Sequence, residues 1–235
     1  MTVDIEINSA KDIDVLKTHP IDEIDRLNLY IYSSISLKFL QQLKHLKSLM
    51  VSGAVKDLSP ISQCTSLEEL TISCKGAINT LDFIRDLSLV SLRLEGFTSK
   101  IDNLTVPYLP SLKNIEISAV SKINDLAFLG GFSNIERIVL FELNSTALFD
   151  FSALNRLKEL RLTNMFHLKD LSELVTIKQL DKLCLHEFYI NKKIKHDKKA
   201  ALLKVMPDLK QVDAIELSIN SEKFDKAALL HELNK

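Results

Sequence analysis

The side chains whose types and spacing fit chemistry gather around position 185. Cys184 and His186 stand two residues apart, so an extended strand places both on one face, as a thiolate–imidazole pair would require. No oxyanion donor or orienting acid accompanies them in the sequence, so catalysis from this pair is not expected. His186-Glu187 is half of a zinc-protease motif. The second histidine would stand four residues after the first, and that position is Ile190. No metal site and no cofactor are expected. Lys192, Lys193, Lys195, Lys198 and Lys199 form the basic cluster of the chain. Nucleic-acid contact would combine such a cluster with stacking aromatics, and only Phe188 and Tyr189 lie close, so a solvated helix face is the simpler reading. The sequence has no P-loop, no dinucleotide-binding glycine motif, no HExxH, no GxSxG elbow and no CxxC pair. Its five glycines form no phosphate loop, and an enzyme is not expected.

The elements that position these residues are set by an LxxLxL pattern. It reads Ile24-x-x-Leu27-x-Leu29, Leu46-x-x-Leu49-x-Val51, Leu67-x-x-Leu70-x-Ile72, Leu89-x-x-Leu92-x-Leu94 and Leu112-x-x-Ile115-x-Ile117. It continues as Ile135-x-x-Ile138-x-Leu140, Leu157-x-x-Leu160-x-Leu162 and Leu180-x-x-Leu183-x-Leu185, with starts 22, 21, 22, 23, 23, 22 and 23 residues apart. A fixed period in the twenties indicates a solenoid, whose units bury their apolar faces only against each other. Within one unit, Lys47 to Ser52 alternates apolar and polar, the mark of a half-buried strand. Val55, Leu58 and Ile61 then return at a helical or 3₁₀ spacing, and Ser59-Pro60 reads as a hydroxyl cap followed by a first-turn proline. The later return legs are Ile78, Leu81 and Ile84; Ile101 and Leu104; Ile123, Leu126 and Leu129; Leu148, Phe151 and Leu154; and Leu168, Leu171 and Leu174.

This pattern resembles the leucine-rich repeat over roughly residues 2–217. The segments Val55-Lys56-Asp57-Leu58-Ser59-Pro60-Ile61 and Ile123-Asn124-Asp125-Leu126-Ala127-Phe128-Leu129 resemble the bacterial, internalin-type class of 21–23 residue repeats. The resemblance implies an α/β solenoid: a right-handed coil of about ten parallel strands on one face, short helices or 3₁₀ turns on the other, and a C-terminal capping helix. One departure stands out. The family's turn asparagine is replaced by Ala54, Lys75, Phe97, Val120, Leu143, Met165 and Phe188, so turns closed by apolar packing are expected in place of a side-chain ladder.

The period runs without a linker, so a single domain, 1–235, is expected. Residues 1–23 form an N-terminal repeat in which Ile5 and Ile7 are already in phase and Ile13, Leu16 and Pro20 form the return leg. Regular repeats occupy 24–190, and 191–220 is an irregular repeat with a longer helix, where the phase slips by about seven residues if Leu209 follows Leu180. A last strand is expected near Val212–Leu217. In 221–235 Ser221 caps a terminal helix that turns Phe224, Ala228, Leu229 and Leu233 inward.

The formal charge of −1 offers no argument for nucleic acid or an anionic membrane, and no apolar run approaches the roughly 18 residues of a membrane span. The N-terminus has no basic secretory n-region. Cys64, Cys74 and Cys184 are too scattered for a disulfide framework, which fits a reducing compartment, the cytoplasm. The expected partner is another protein, bound by a chain that is a monomer by itself. The resemblance implies that the exposed, concave strand face does the binding. Arg93, Glu116, Arg137, Val139, Phe141, Arg161, Lys182 and His186 lie on it, an aromatic-and-arginine mixture typical of binding hot spots. A toxin-neutralising immunity protein is one form of such a binder; an adaptor, scaffold or secreted effector is the alternative.

Overall fold

The computed structural model describes residues 1–74, 77–96, 98–99, 104–187, 198–219 and 222–233. The chain divides into two compact units, Met1–Leu112 and Lys113–Lys235. The first contains β1 (Thr2–Ile7), β2 (Arg26–Ile31), β3 (Ser48–Gly53), β4 (Glu69–Cys74), the short β5 (Ala77–Ile78), β6 (Ser91–Glu95) and the short β7 (Thr98–Ser99). Strands β1, β2, β3, β4 and β6 pair in parallel in that order, while β5 and β7 pair with each other. The second contains β8 (Asn114–Ser118), β9 (Arg137–Phe141), β10 (Glu159–Thr163), β11 (Leu180–Glu187), α1 (Lys198–Val205), β12 (Val212–Ile219), β13 (Glu222–Asp225) and α2 (Lys226–Leu233). Strands β8 to β12 are parallel in sequence order, and β13 returns antiparallel along β12.

Register follows the sequence period. Leu27 pairs with Leu49, Leu49 with Leu70 and Leu70 with Leu92 in the first unit. In the second, Ile115, Ile138, Leu160, Leu183 and Ile215 are successive partners. Because strand side chains alternate, this register sends every motif leucine to one side of each sheet. No residue of the eight LxxLxL motifs is more than 4 % exposed. The pairing also corrects the phase at the irregular repeat. Leu180 pairs with Val212, so the ninth motif is Val212-x-x-Ile215-x-Leu217, and the slip is about ten residues, not the seven that Leu209 suggested.

The return legs are 3₁₀ segments, including Leu37–Gln42, Ser59–Gln63, Asp82–Ile84, Ala127–Gly131 and Ser172–Thr176. The 3₁₀ helix rises about 2.0 Å per residue against about 1.5 Å for the α-helix, which suits a leg that must recross the core in few residues. The cap is not the Ser59 hydroxyl. Ser59 instead donates its backbone N–H to Asp57 Oδ1 at 2.9 Å, and the same bond runs from Ala127 to Asp125, Ser152 to Asp150 and Ser172 to Asp170 at 2.8–2.9 Å. The aspartate of the repeat cadence satisfies a backbone donor that the turn leaves orphaned.

The turns after β3, β6, β8, β9 and β10 each use a left-handed residue. Gly53 (φ 106°) and Gly96 (φ 67°) supply it in the first unit; Ala119, Glu142 and Asn164, each at φ 51°, adopt it in the second. Their N–H groups donate to the next repeat: Ala119 to Phe141 O at 2.8 Å, Glu142 to Thr163 O at 3.0 Å and Asn164 to His186 O at 2.7 Å. Where the family keeps asparagine, Val120, Leu143 and Met165 are buried, so backbone bonds and apolar packing close these turns. Ala54 is exposed, and Lys75, Phe97 and Phe188 lie outside the described residues.

The C-terminal reading is corrected in detail. Ser221 lies outside the described residues, and Asp225 is the cap of α2, accepting the Ala228 N–H at 2.8 Å. Residues 222–225 are strand rather than helix, so only Leu229 of the expected face is fully buried; Phe224 is half-buried, and Ala228 and Leu233 are exposed. The expected long helix is observed as Lys198–Val205, with 191–197 outside the described residues. Lys199 is not a solvated lysine: its ammonium lies 4.0 Å from the Phe224 ring centre and 2.7 Å from Glu232 Oε1, tying α1 to β13 and α2.

Candidate functional site

Alternation places every expected recognition residue on the sheet side opposite the motif leucines. Arg93 is an exposed mid-strand residue of β6, 3.0 Å from Glu95 Oε1. The remaining seven lie in the second unit, where parallel pairing aligns them in columns. Arg137, Glu159 and Lys182 form one; Glu116, Val139, Arg161, Cys184 and Glu216 the next; Ser118, Phe141, Thr163, His186 and Ser218 the third.

The columns are held by ion pairs that composition alone did not show. Glu159 receives Arg137 Nε on Oε2 at 3.0 Å and Arg161 Nη2 on Oε1 at 3.1 Å. Burial opposes ionisation of Glu159, but the hydrogen bonds from Arg161 and Arg137 outweigh it and hold the carboxyl below the usual glutamate value. Glu216 receives Lys182 Nζ on Oε2 at 3.0 Å and faces His186 Nε2 from Oε1 at 3.3 Å. The bond from Lys182 lowers the Glu216 pKa and raises that of Lys182. Expected exposure fails at Val139, which is only 6 % exposed. Its register neighbours are Glu116 and Arg161, whose apolar stems can cover a short side chain between them. Phe141, Arg137, Arg161, Glu116, Lys182 and His186 are all half-buried.

Glu216 is the residue that sequence reasoning missed. It stands beside Cys184 in register, and Cys184, His186 and Glu216 each offer a ligand-type atom within 4.8 Å of one another. The signal was hidden by the irregular repeat, because only the Leu180–Val212 pairing brings position 216 next to 184. Cys184 itself is fully buried. Burial pushes its thiol up, against the opposing pull of Lys182 and Arg161. Burial pushes the other two thiols up to about 11, Cys64 against an opposing pull from Lys44 and Cys74 by burial alone. All three are free, and none carries the lowered pKa of a reactive thiol.

No protein-family model matches the chain, and no curated protein matches it. Among solved structures, an internalin (inlF) from Listeria monocytogenes is similar at 17 % identity and a TM-score of 0.58, covering 78 % of this chain and 53 % of that one. This chain has a leucine-rich repeat fold. It spans about half the length of that internalin, and the likeness extends to architecture alone. A second structure, internalin C2 from the same species, aligns at 16 % identity and a TM-score of 0.47, over 79 % of this chain and 76 % of that one. Repeat folds of this kind present extended surfaces to protein partners. Among the described residues, no helix is long and apolar enough to cross a membrane.

Proposed function

We propose that this leucine-rich repeat chain is a non-catalytic recognition protein. Its partner is another protein, bound by the outer sheet face bearing Glu116, Arg137, Val139, Phe141, Arg161, Lys182 and His186; Arg93 marks the corresponding face of the first unit. The observation that carries this reading is the clamp of Arg137 and Arg161 on Glu159, with Phe141 one column away. Side chains already fixed before binding lose less entropy on association, and arginine beside an aromatic ring is the composition of interface hot spots. The replacement of Phe141 and Arg161 together by alanine is expected to weaken partner binding by more than about 1 kcal/mol, about fivefold or more in Kd. An unchanged Kd moves the site off this face.

The narrower form we favour is a toxin-neutralising immunity protein acting as a monomer in the bacterial cytoplasm. Three unpaired, buried thiols support a reducing compartment, and a pre-fixed charged face supports stoichiometric blockade of a partner. Capture from the native host, followed by titration of the captured partner's activity, tests it. Inhibition at one equivalent is expected; binding without inhibition replaces this form with an adaptor or effector role.

A further inference from the structure

We infer that Cys184, His186 and Glu216 form a zinc-binding site between β11 and β12. The three residues supply a thiol, an imidazole nitrogen and a carboxylate, the donor set zinc selects among biological cations. They come from neighbouring strands whose register is fixed by parallel pairing: Cys184 opposite Glu216, and His186 two residues further along the same face. The ligand atoms all lie within 4.8 Å of one another before any ion is added.

One separation already matches an edge of a tetrahedron around zinc. With Zn–N and Zn–O bonds of about 2.0–2.1 Å, the N···O edge is about 3.3–3.4 Å. His186 Nε2 and Glu216 Oε1 stand 3.3 Å apart. With a Zn–S bond of about 2.3 Å, the S···O edge is about 3.6 Å. Cys184 Sγ lies 4.0 Å from the other oxygen of that carboxylate, Oε2, so closing the site requires the Glu216 side chain to turn and the thiol to move in.

Charge also closes. Zinc displaces the thiol proton, and thiolate plus carboxylate then neutralise the dication. With Glu216 Oε1 as the ligand, Lys182 Nζ, 3.0 Å from Oε2, holds the other carboxylate oxygen, as an outer-shell donor does at metal sites. Three protein ligands leave a fourth position for water.

Cobalt(II) added to the reduced full chain should bind at one equivalent. It should give the intense visible bands of a tetrahedral ion and a thiolate-to-metal charge-transfer band in the near ultraviolet, both bleached by stoichiometric zinc. Cys184→Ser and Glu216→Gln should each weaken zinc binding by at least about 100-fold, the upper end of what losing even an outer-shell group costs. Cys64→Ser and Cys74→Ser, which alter the other buried thiols, should leave affinity and spectrum unchanged. Circular dichroism establishes that each variant is folded, and the cobalt spectrum of the unaltered chain needs no variant at all. An octahedral cobalt spectrum without the thiolate band, or zinc affinity unchanged in folded Cys184→Ser, overturns the site.

Discussion

Gly53 and Gly96 occupy the same kind of left-handed turn after a strand, yet alanine should be tolerated very differently at the two. At Gly96 (φ 67°) an added Cβ meets nothing within 4 Å. Only the backbone preference is at stake there, about 1–2 kcal/mol against alanine. The lost flexibility of the unfolded glycine offsets about 0.5–1 kcal/mol of it. Gly96→Ala should therefore cost no more than about 1.5 kcal/mol. At Gly53 (φ 106°) the Cβ would lie 2.1 Å from the Ile31 carbonyl oxygen. That oxygen accepts the Ala54 N–H at 2.8 Å, so relieving the overlap also disturbs a bond between repeats. Backbone strain of about 1–3 kcal/mol, added to about 1 kcal/mol for a weakened hydrogen bond, puts Gly53→Ala at about 2–4 kcal/mol. Urea unfolding of both variants, followed by circular dichroism, reads the difference directly. A gap smaller than about 0.5 kcal/mol between them would refute the close approach of the two turns.

Ala119, exposed at φ 51°, should gain about 0.5–1 kcal/mol when replaced by glycine, because strain relief exceeds the added chain entropy; a lower urea midpoint would contradict this. Asp57→Ala removes the acceptor for the Ser59 N–H and should cost about 1 kcal/mol, whereas Ser59→Ala, which keeps that backbone bond and loses only an exposed hydroxyl contact to Asp57, should cost less, under about 0.5 kcal/mol, by urea midpoint. Glu159 and Glu216 have folded-state pKa values held below the ordinary glutamate value of 4.5. Their contribution is therefore complete above that pH and is lost as pH falls through the lower folded-state values. Urea midpoints should drop below about pH 4.5 more steeply in the unaltered chain than in Glu159→Gln; parallel curves would remove Glu159 from the account.

Leucine spacing made the strands legible because a two-residue alternation repeated every 21–23 residues has few physical solutions. The return legs were legible too, as Leu58 and Ile61 show. Their capping was not: Ser59 has the residue type of a cap, but it acts as a donor, and Asp57 two residues earlier is the acceptor of its N–H. At the face, residue type identified Arg137 and Arg161 but not their common clamp on Glu159, because a pairing across strands depends on register and on side-chain reach. Val139 was misread for a related reason. Alternation gives direction, and only neighbours decide exposure. Glu216 was invisible because the irregular repeat hid which residue would stand beside Cys184.

Strand β13 has a consequence for assembly. A parallel ladder of equivalent repeats carries no internal instruction to stop, since each strand offers the next the same open row of amide and carbonyl groups. By running antiparallel along Glu216 to Ile219, β13 occupies that row on β12 with four residues of opposite polarity. Its own sequence, Glu-Lys-Phe-Asp, places three charges on the new border. Over that half of β12 the stack is terminated chemically: a second molecule would have to dock its backbone there against a short, charged, reversed strand.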